Sequence, residues 1–123
     1  MILTEDTYHN HYRIHAYQPG TITVNHTPYT HSLIITPDQL IPHWPPHSLE
    51  NLTPEHLDIL LALRSEIILL GTGIQFKMPT AAQLAPLYQQ KRGVECMDTG
   101  AACRTYTVLA SEGRHVIAAL LIH

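Results

Sequence analysis

Positive charge is scarce in this chain. Seven lysines and arginines are spread over 123 residues against ten acidic residues, giving a formal net charge of −3. With no basic patch there is no electrostatic footprint for nucleic acid or an anionic membrane, so neither is expected as a partner. Cysteine is also nearly absent. Cys96 and Cys103 are too few for a disulfide framework and do not form a Cys-x-x-Cys metal run, which points to a reducing, cytoplasmic setting. No run of about 18 apolar residues occurs, and the opening MILTEDTYHNHYR lacks the basic start and apolar stretch of a secretory signal. Membrane insertion and export are therefore not expected.

What is present suits a folded chain: 45% apolar residues with 14% charged ones. That balance is too apolar for disorder, and the length fits one domain over 1–123, with 1–9 read as a loose N-terminal arm. Ten histidines make the charge balance sensitive to pH. If all ten protonate below an imidazole pKa of roughly 6.5, the net charge climbs from −3 to +7.

Short β-prone runs at 12–17 and 21–25, separated by Gln18, Pro19 and Gly20, read as a hairpin. A turn at 25–28 leads into a third strand over 29–36, whose Leu33-Ile34-Ile35 core suggests cover on both faces. The segment 37–48 holds four prolines and the only tryptophan, and reads as a connector. Thr53 and Pro54 predict a helix start, with a helix from Pro54 to Arg64. A buried strand over 66–73 follows, then a helix from Thr80 to Gln90 stopped by Gly93, a short strand over 94–97 and a final apolar strand over 115–122. Strands alternating with helices predict an α/β fold with parallel crossovers.

The segment DTGAACRTYTVLASEGR, 98–114, admits two readings. Asp98-Thr99-Gly100-Ala101 matches the catalytic loop of aspartic proteases, and Thr105, Thr107 and Val108 favour an extended chain. That chemistry needs two carboxylates sharing a proton, and only Asp98 sits in such a loop. The other reading is a helix capped by Asp98 or Thr99, with Ala102, Tyr106 and Leu109 on one face. Cap and spacing favour the helix, so the protease reading is rejected and no catalytic residue is assigned.

Gly71-Thr72-Gly73, Met97-Asp98-Thr99, Ala102-Cys103-Arg104-Thr105-Tyr106 and Glu112-Gly113-Arg114 together resemble a small-domain family. That family includes mitochondrial respiratory complex I assembly factor 3 and adipogenesis-associated domain proteins, as well as bacterial members without an assigned activity. The resemblance spans roughly 12–122. It implies a three-layer α/β domain with a central mixed sheet, which would make 99–111 a helix. It also implies work through protein contacts, as in assembly of respiratory complex I or another multi-subunit complex. One position departs: Thr107 stands where the family pattern usually has Asn.

Gly71-Thr72-Gly73 is a poor phosphate loop, because position 76 is Phe76 and no Gly-Lys-Ser/Thr follows. Its location matters more. This loop and the Asp98 loop both leave the carboxyl ends of expected strands, where open α/β sheets place ligand crevices. Thr72, Gly73, Asp98, Thr99, Arg104, Glu112 and Arg114 are therefore the candidate lining of one polar depression for an anionic ligand. Pairing of either arginine with Asp98 or Glu112 would instead make them structural. Cys103 lacks an assignable base and reads as a buried small residue. His9 with His11, and His43 with His47, leave any zinc site without a third ligand, so neither metal nor cofactor is expected. In the proline-rich connector, Ile41 and Trp44 are the candidate protein-interface anchors, with packing of Trp44 over the sheet edge as the alternative.

Overall fold

The computed structural model of the chain describes residues 11–123; the N-terminal arm and His9 of the sequence reading lie outside these. Strands β1 (Ile14–Gln18), β2 (Thr21–Val24) and β3 (Thr27–Tyr29) form an antiparallel sheet in that order. Gly20 and Asn25 supply left-handed backbone at its two turns, with φ of 87° and 54°. The expected hairpin is thus two strands of a three-stranded meander.

The strand expected over 29–36 is divided. β3 ends at Tyr29, and β4 (Leu33–Ile35) belongs to a second sheet. Between them the chain crosses from one sheet to the other and is pinned at buried Ser32. The Ser32 hydroxyl accepts the Ile122 N–H at 2.9 Å, and its carbonyl accepts the Trp44 N–H at 2.8 Å.

The second sheet adds β5 (Leu40–Ile41), β6 (Ile67–Gly71), β7 (Glu95–Met97) and β8 (Val116–Leu120), in the order β5-β4-β8-β6-β7. β8, β6 and β7 run parallel, while β4 pairs antiparallel with β8 and β5, so the sheet is mixed. Among the described residues three α-helices accompany it: α1 (Asp58–Ala62), α2 (Ala81–Gln89) between β6 and β7, and α3 (Thr99–Ser111) between β7 and β8.

Side-chain alternation along the central strands builds a core on each face. Leu33, Ile35, Leu69, Val116, Ala118 and Leu120 point towards α3 and the three-stranded sheet. Ile34, Ile68, Leu70, Ile117, Ala119 and Leu121 point the other way, towards Leu57, Leu60, Leu84 and Leu87 from the helical side. The result is three layers around a central mixed sheet.

Two helix boundaries differ from expectation. The helix expected from Pro54 to Arg64 is a 3₁₀ turn (Pro54–Leu57) followed by α1. Leu63 takes extended backbone, so its side chain joins the second core instead of continuing the helix. The stop of α2 is Lys91, not Gly93. Lys91 adopts φ 57°, its N–H reaches the Tyr88 carbonyl at 3.0 Å, and the Arg92 N–H reaches that of Leu87 at 2.8 Å. This is a Schellman closure made without glycine.

Candidate functional site

Asp98 caps α3, and its Oδ1 accepts the Ala101 N–H at 2.8 Å. Thr99 beside it has no exposed surface. Its hydroxyl donates to the Leu121 carbonyl at 2.7 Å and accepts the Gly73 N–H at 2.9 Å, while its own N–H donates to the Gly73 carbonyl at 2.9 Å. Thr72 completes the joint: its N–H goes to the Met97 carbonyl at 2.8 Å, and its hydroxyl accepts the Lys77 N–H at 3.1 Å.

The connections leaving β6 and β7 lead to opposite faces of the sheet, since Leu84 and Leu87 of α2 pack in one core and Ala102, Cys103 and Tyr106 of α3 in the other. That topology creates a crevice at the strand ends. Here the start of α3 occupies it. A Cβ on Gly71 would lie 2.8 Å from Thr99 Oγ1 and 2.9 Å from Thr99 Cα, so helix and strand touch at backbone distance.

The seven residues expected to share one depression are divided along α3. Thr72, Gly73, Asp98 and Thr99 meet at its N-terminal end. Arg104 lies further along, exposed, beside a shallow groove lined by Ile14, Tyr17, Gly100 and Cys103. Among the described residues its guanidinium makes no ion pair or hydrogen bond. Glu112 and Arg114 sit past the far end, roughly 20 Å away at 1.5 Å per residue. Arg114 is paired, but with neither Asp98 nor Glu112: its Nε–H donates to Glu66 Oε1 at 2.9 Å.

Burial governs the nucleophiles. It pushes the Cys103 thiol up to about 12, with Arg104 partly opposing and Asp98 reinforcing the shift. At neutral pH this group stays a protonated thiol. Burial likewise raises Cys96 and Tyr106, and the Tyr106 hydroxyl donates to the Tyr12 carbonyl at 2.7 Å. Thr107 spends its hydroxyl on the Cys103 carbonyl at 2.9 Å.

Trp44 is 3% exposed and its indole N–H donates to the His56 carbonyl at 3.0 Å, so the connector holds it inward over the second core. Ile41, in β5, packs half-buried against the same core. His43 packs against His31 with ring centroids 4.5 Å apart and the planes tilted by 50°. Among the described residues no three His, Cys, Asp or Glu side chains gather to hold a metal ion.

Two features escaped sequence reasoning. The loop between β6 and α2 exposes Ile74, Phe76 and Met78 by 45%, 52% and 68%. Their alternation in IQFKM was the available signal, overshadowed by the adjacent glycines. The other is a cavity of about 700 Å³ between the C-terminal half of α3 and β1. It draws on segments far apart in sequence, so no local pattern marks it.

The family described as "Protein of unknown function (DUF498/DUF598)" matches residues 14–121. The chain is 31% identical over 101 residues to the "13 kDa major membrane protein" of Francisella tularensis, covering 81% of this chain and 82% of that one. It is 33% identical over 94 residues to human "NADH dehydrogenase [ubiquinone] 1 alpha subcomplex assembly factor 3", covering 72% of this chain and 51% of the assembly factor. The chain thus spans about half of that relative's length. A Xanthomonas campestris protein solved by NMR superposes with a TM-score of 0.79 at 42% identity, over 90% of this chain and 84% of the other.

Proposed function

The chain belongs to the DUF498/DUF598 family, and from that premise we propose that it acts as one domain through protein contacts, assisting assembly of respiratory complex I or another multi-subunit complex. The observation that carries this reading is the exposed apolar loop, Ile74 to Met78. Three large apolar side chains held in water are costly unless a partner covers them. The loop is braced at its middle by the Lys77–Glu50 ion pair at 2.8 Å, and at Lys77 N–H by Thr72. A braced loop loses less entropy on docking.

Kinship with the assembly factors supports the choice of partner class. The interface role assigned to Ile41 and Trp44 then becomes support for the fold beneath the loop, since the Gln83 amide bonds the Leu49 and Leu52 carbonyls in the same layer as Trp44. A cytoplasmic working place belongs to this proposal. Among the described residues no helix is long and apolar enough to cross a membrane. The anionic-ligand reading of the Gly71–Gly73 and Asp98–Arg114 loops is less favoured, because Thr72, Gly73, Asp98 and Thr99 spend their polar groups on each other and on the main chain.

The test is co-purification of complex I subunits with the tagged chain from its own host, compared with a Phe76→Ser/Met78→Ser double variant. Capture by the wild type and loss in the variant are expected. Normal complex I levels in a deletion strain would remove the complex I assembly role.

A further inference from the structure

The cavity at the C-terminal half of α3 is unlike the closed joint at the helix start, and we propose that it binds a small organic anion, an oxyanion carrying an apolar body. Its volume of about 700 Å³ is in the range of small-ligand sites. Its walls divide by chemistry. Ile14, Pro37 and Ala110 form an apolar side, with the fully buried Tyr106 behind them. Tyr106 adds no phenolate there, because its hydroxyl is spent on the Tyr12 carbonyl and burial keeps the proton on.

Among the described residues the polar side carries His11, His15, His115 and Arg114, with Arg13, which has a partner of its own, and one carboxylate, Asp38. In a chain with only seven lysines and arginines, two of them and three of the ten histidines line this one space. Each imidazole offers an N–H donor whether neutral or charged. Arg114 gives Glu66 its Nε–H, which leaves the terminal amino groups of the guanidinium for a ligand oxygen.

The turn that delivers Arg114 is fixed. Gly113 adopts φ 78°, its N–H bonds the Ala110 carbonyl at 3.0 Å, and the Arg114 N–H bonds that of Leu109 at 3.1 Å. A guanidinium set by a closed turn beside an apolar wall suits a ligand with one charged end and one greasy end. The proposal is independent of the apolar loop, which lies beyond the other end of α3.

The experiment titrates the chain with phenyl phosphate, inorganic phosphate and benzyl alcohol, read by backbone amide NMR shifts and calorimetry. Phenyl phosphate is expected to shift the amides of Ala110, Gly113 and His115 and to bind about tenfold more tightly than inorganic phosphate. Benzyl alcohol is expected to leave those amides in place. Arg114→Gln should weaken phenyl phosphate by about tenfold or more. Ser111→Glu, which adds a carboxylate at an exposed lining position, should abolish the shifts. Arg104→Gln, in the neighbouring groove, should change nothing. All three positions are exposed, and an unchanged amide spectrum elsewhere verifies the fold. Absence of shifts with phenyl phosphate, equal binding of benzyl alcohol, or undiminished affinity in Arg114→Gln would overturn the proposal.

Discussion

The two ends of α3 both gather polar residues beside a glycine, to opposite effect. At the N-terminal end, Asp98, Thr99, Thr72 and Gly73 are drawn together until the polar groups of the joint find partners within 3.1 Å. At the C-terminal end, Arg114 and Glu66 meet while half-exposed, and a cavity remains between helix and β1. Glycine explains much of the difference. Gly71 lets the helix start approach the strand at backbone distance, whereas Gly113 only turns the chain and a Cβ there would meet nothing within 4 Å. Polar residues near strand ends therefore mark a joint where the main chains can touch, and an opening where they cannot.

The sharpest way to break this contrast is to separate the joint. Gly71→Ala places a methyl group against Thr99 Cα and should destabilise the chain by about 3 kcal/mol or more, read by thermal or urea unfolding. Thr99→Val keeps the shape but strands the buried Gly73 N–H and Leu121 carbonyl, and should cost about 2 to 3 kcal/mol in the same assay. Asp98→Ala removes only the cap and should cost about 1 kcal/mol. At the open end, Glu66→Gln should cost under about 0.5 kcal/mol, with the difference vanishing in high salt, because the pair is exposed. A Glu66→Gln effect as large as that of Thr99→Val would erase the distinction between the two ends.

A pH series sharpens it further. Burial at the joint side of α3 raises the folded Cys103 thiol from its ordinary value near 9 to about 12. A raised acid contributes stability that is complete below the unfolded value and lost as pH rises towards the folded one. The wild type should therefore lose stability between about pH 9 and pH 12. Cys103→Ala should flatten part of that slope, as measured by urea unfolding at several pH values. An unchanged slope would place the titration elsewhere.

Much of the helix could be read directly from its residues. Asp98 as a cap and Ala102, Tyr106 and Leu109 on one inward face are consequences of local spacing, and the resemblance carried by Met97-Asp98-Thr99 and Gly71-Thr72-Gly73 pointed to the same three-layer fold. The strand over 29–36 was misread because Thr30 to Ser32 carries no local mark of a sheet switch. Only Ser32's bonds to Ile122 and Trp44 make one. The candidate depression failed for a similar reason: proximity in sequence placed Arg104, Glu112 and Arg114 with Asp98, while a helix between them carried them apart.

By itself the sequence determined the chain's periodicities: which residues alternate as strands, which fall on one helical face, and where a carboxylate can cap a helix start. These are short-range effects, fixed by backbone geometry within a few residues. Tertiary structure alone decided that Arg114 would pair with Glu66 and not with Asp98, that Trp44 would turn inward, and that a cavity would open beside Tyr106. Such outcomes depend on distances between segments tens of residues apart, which are set only when both faces of the central sheet are packed.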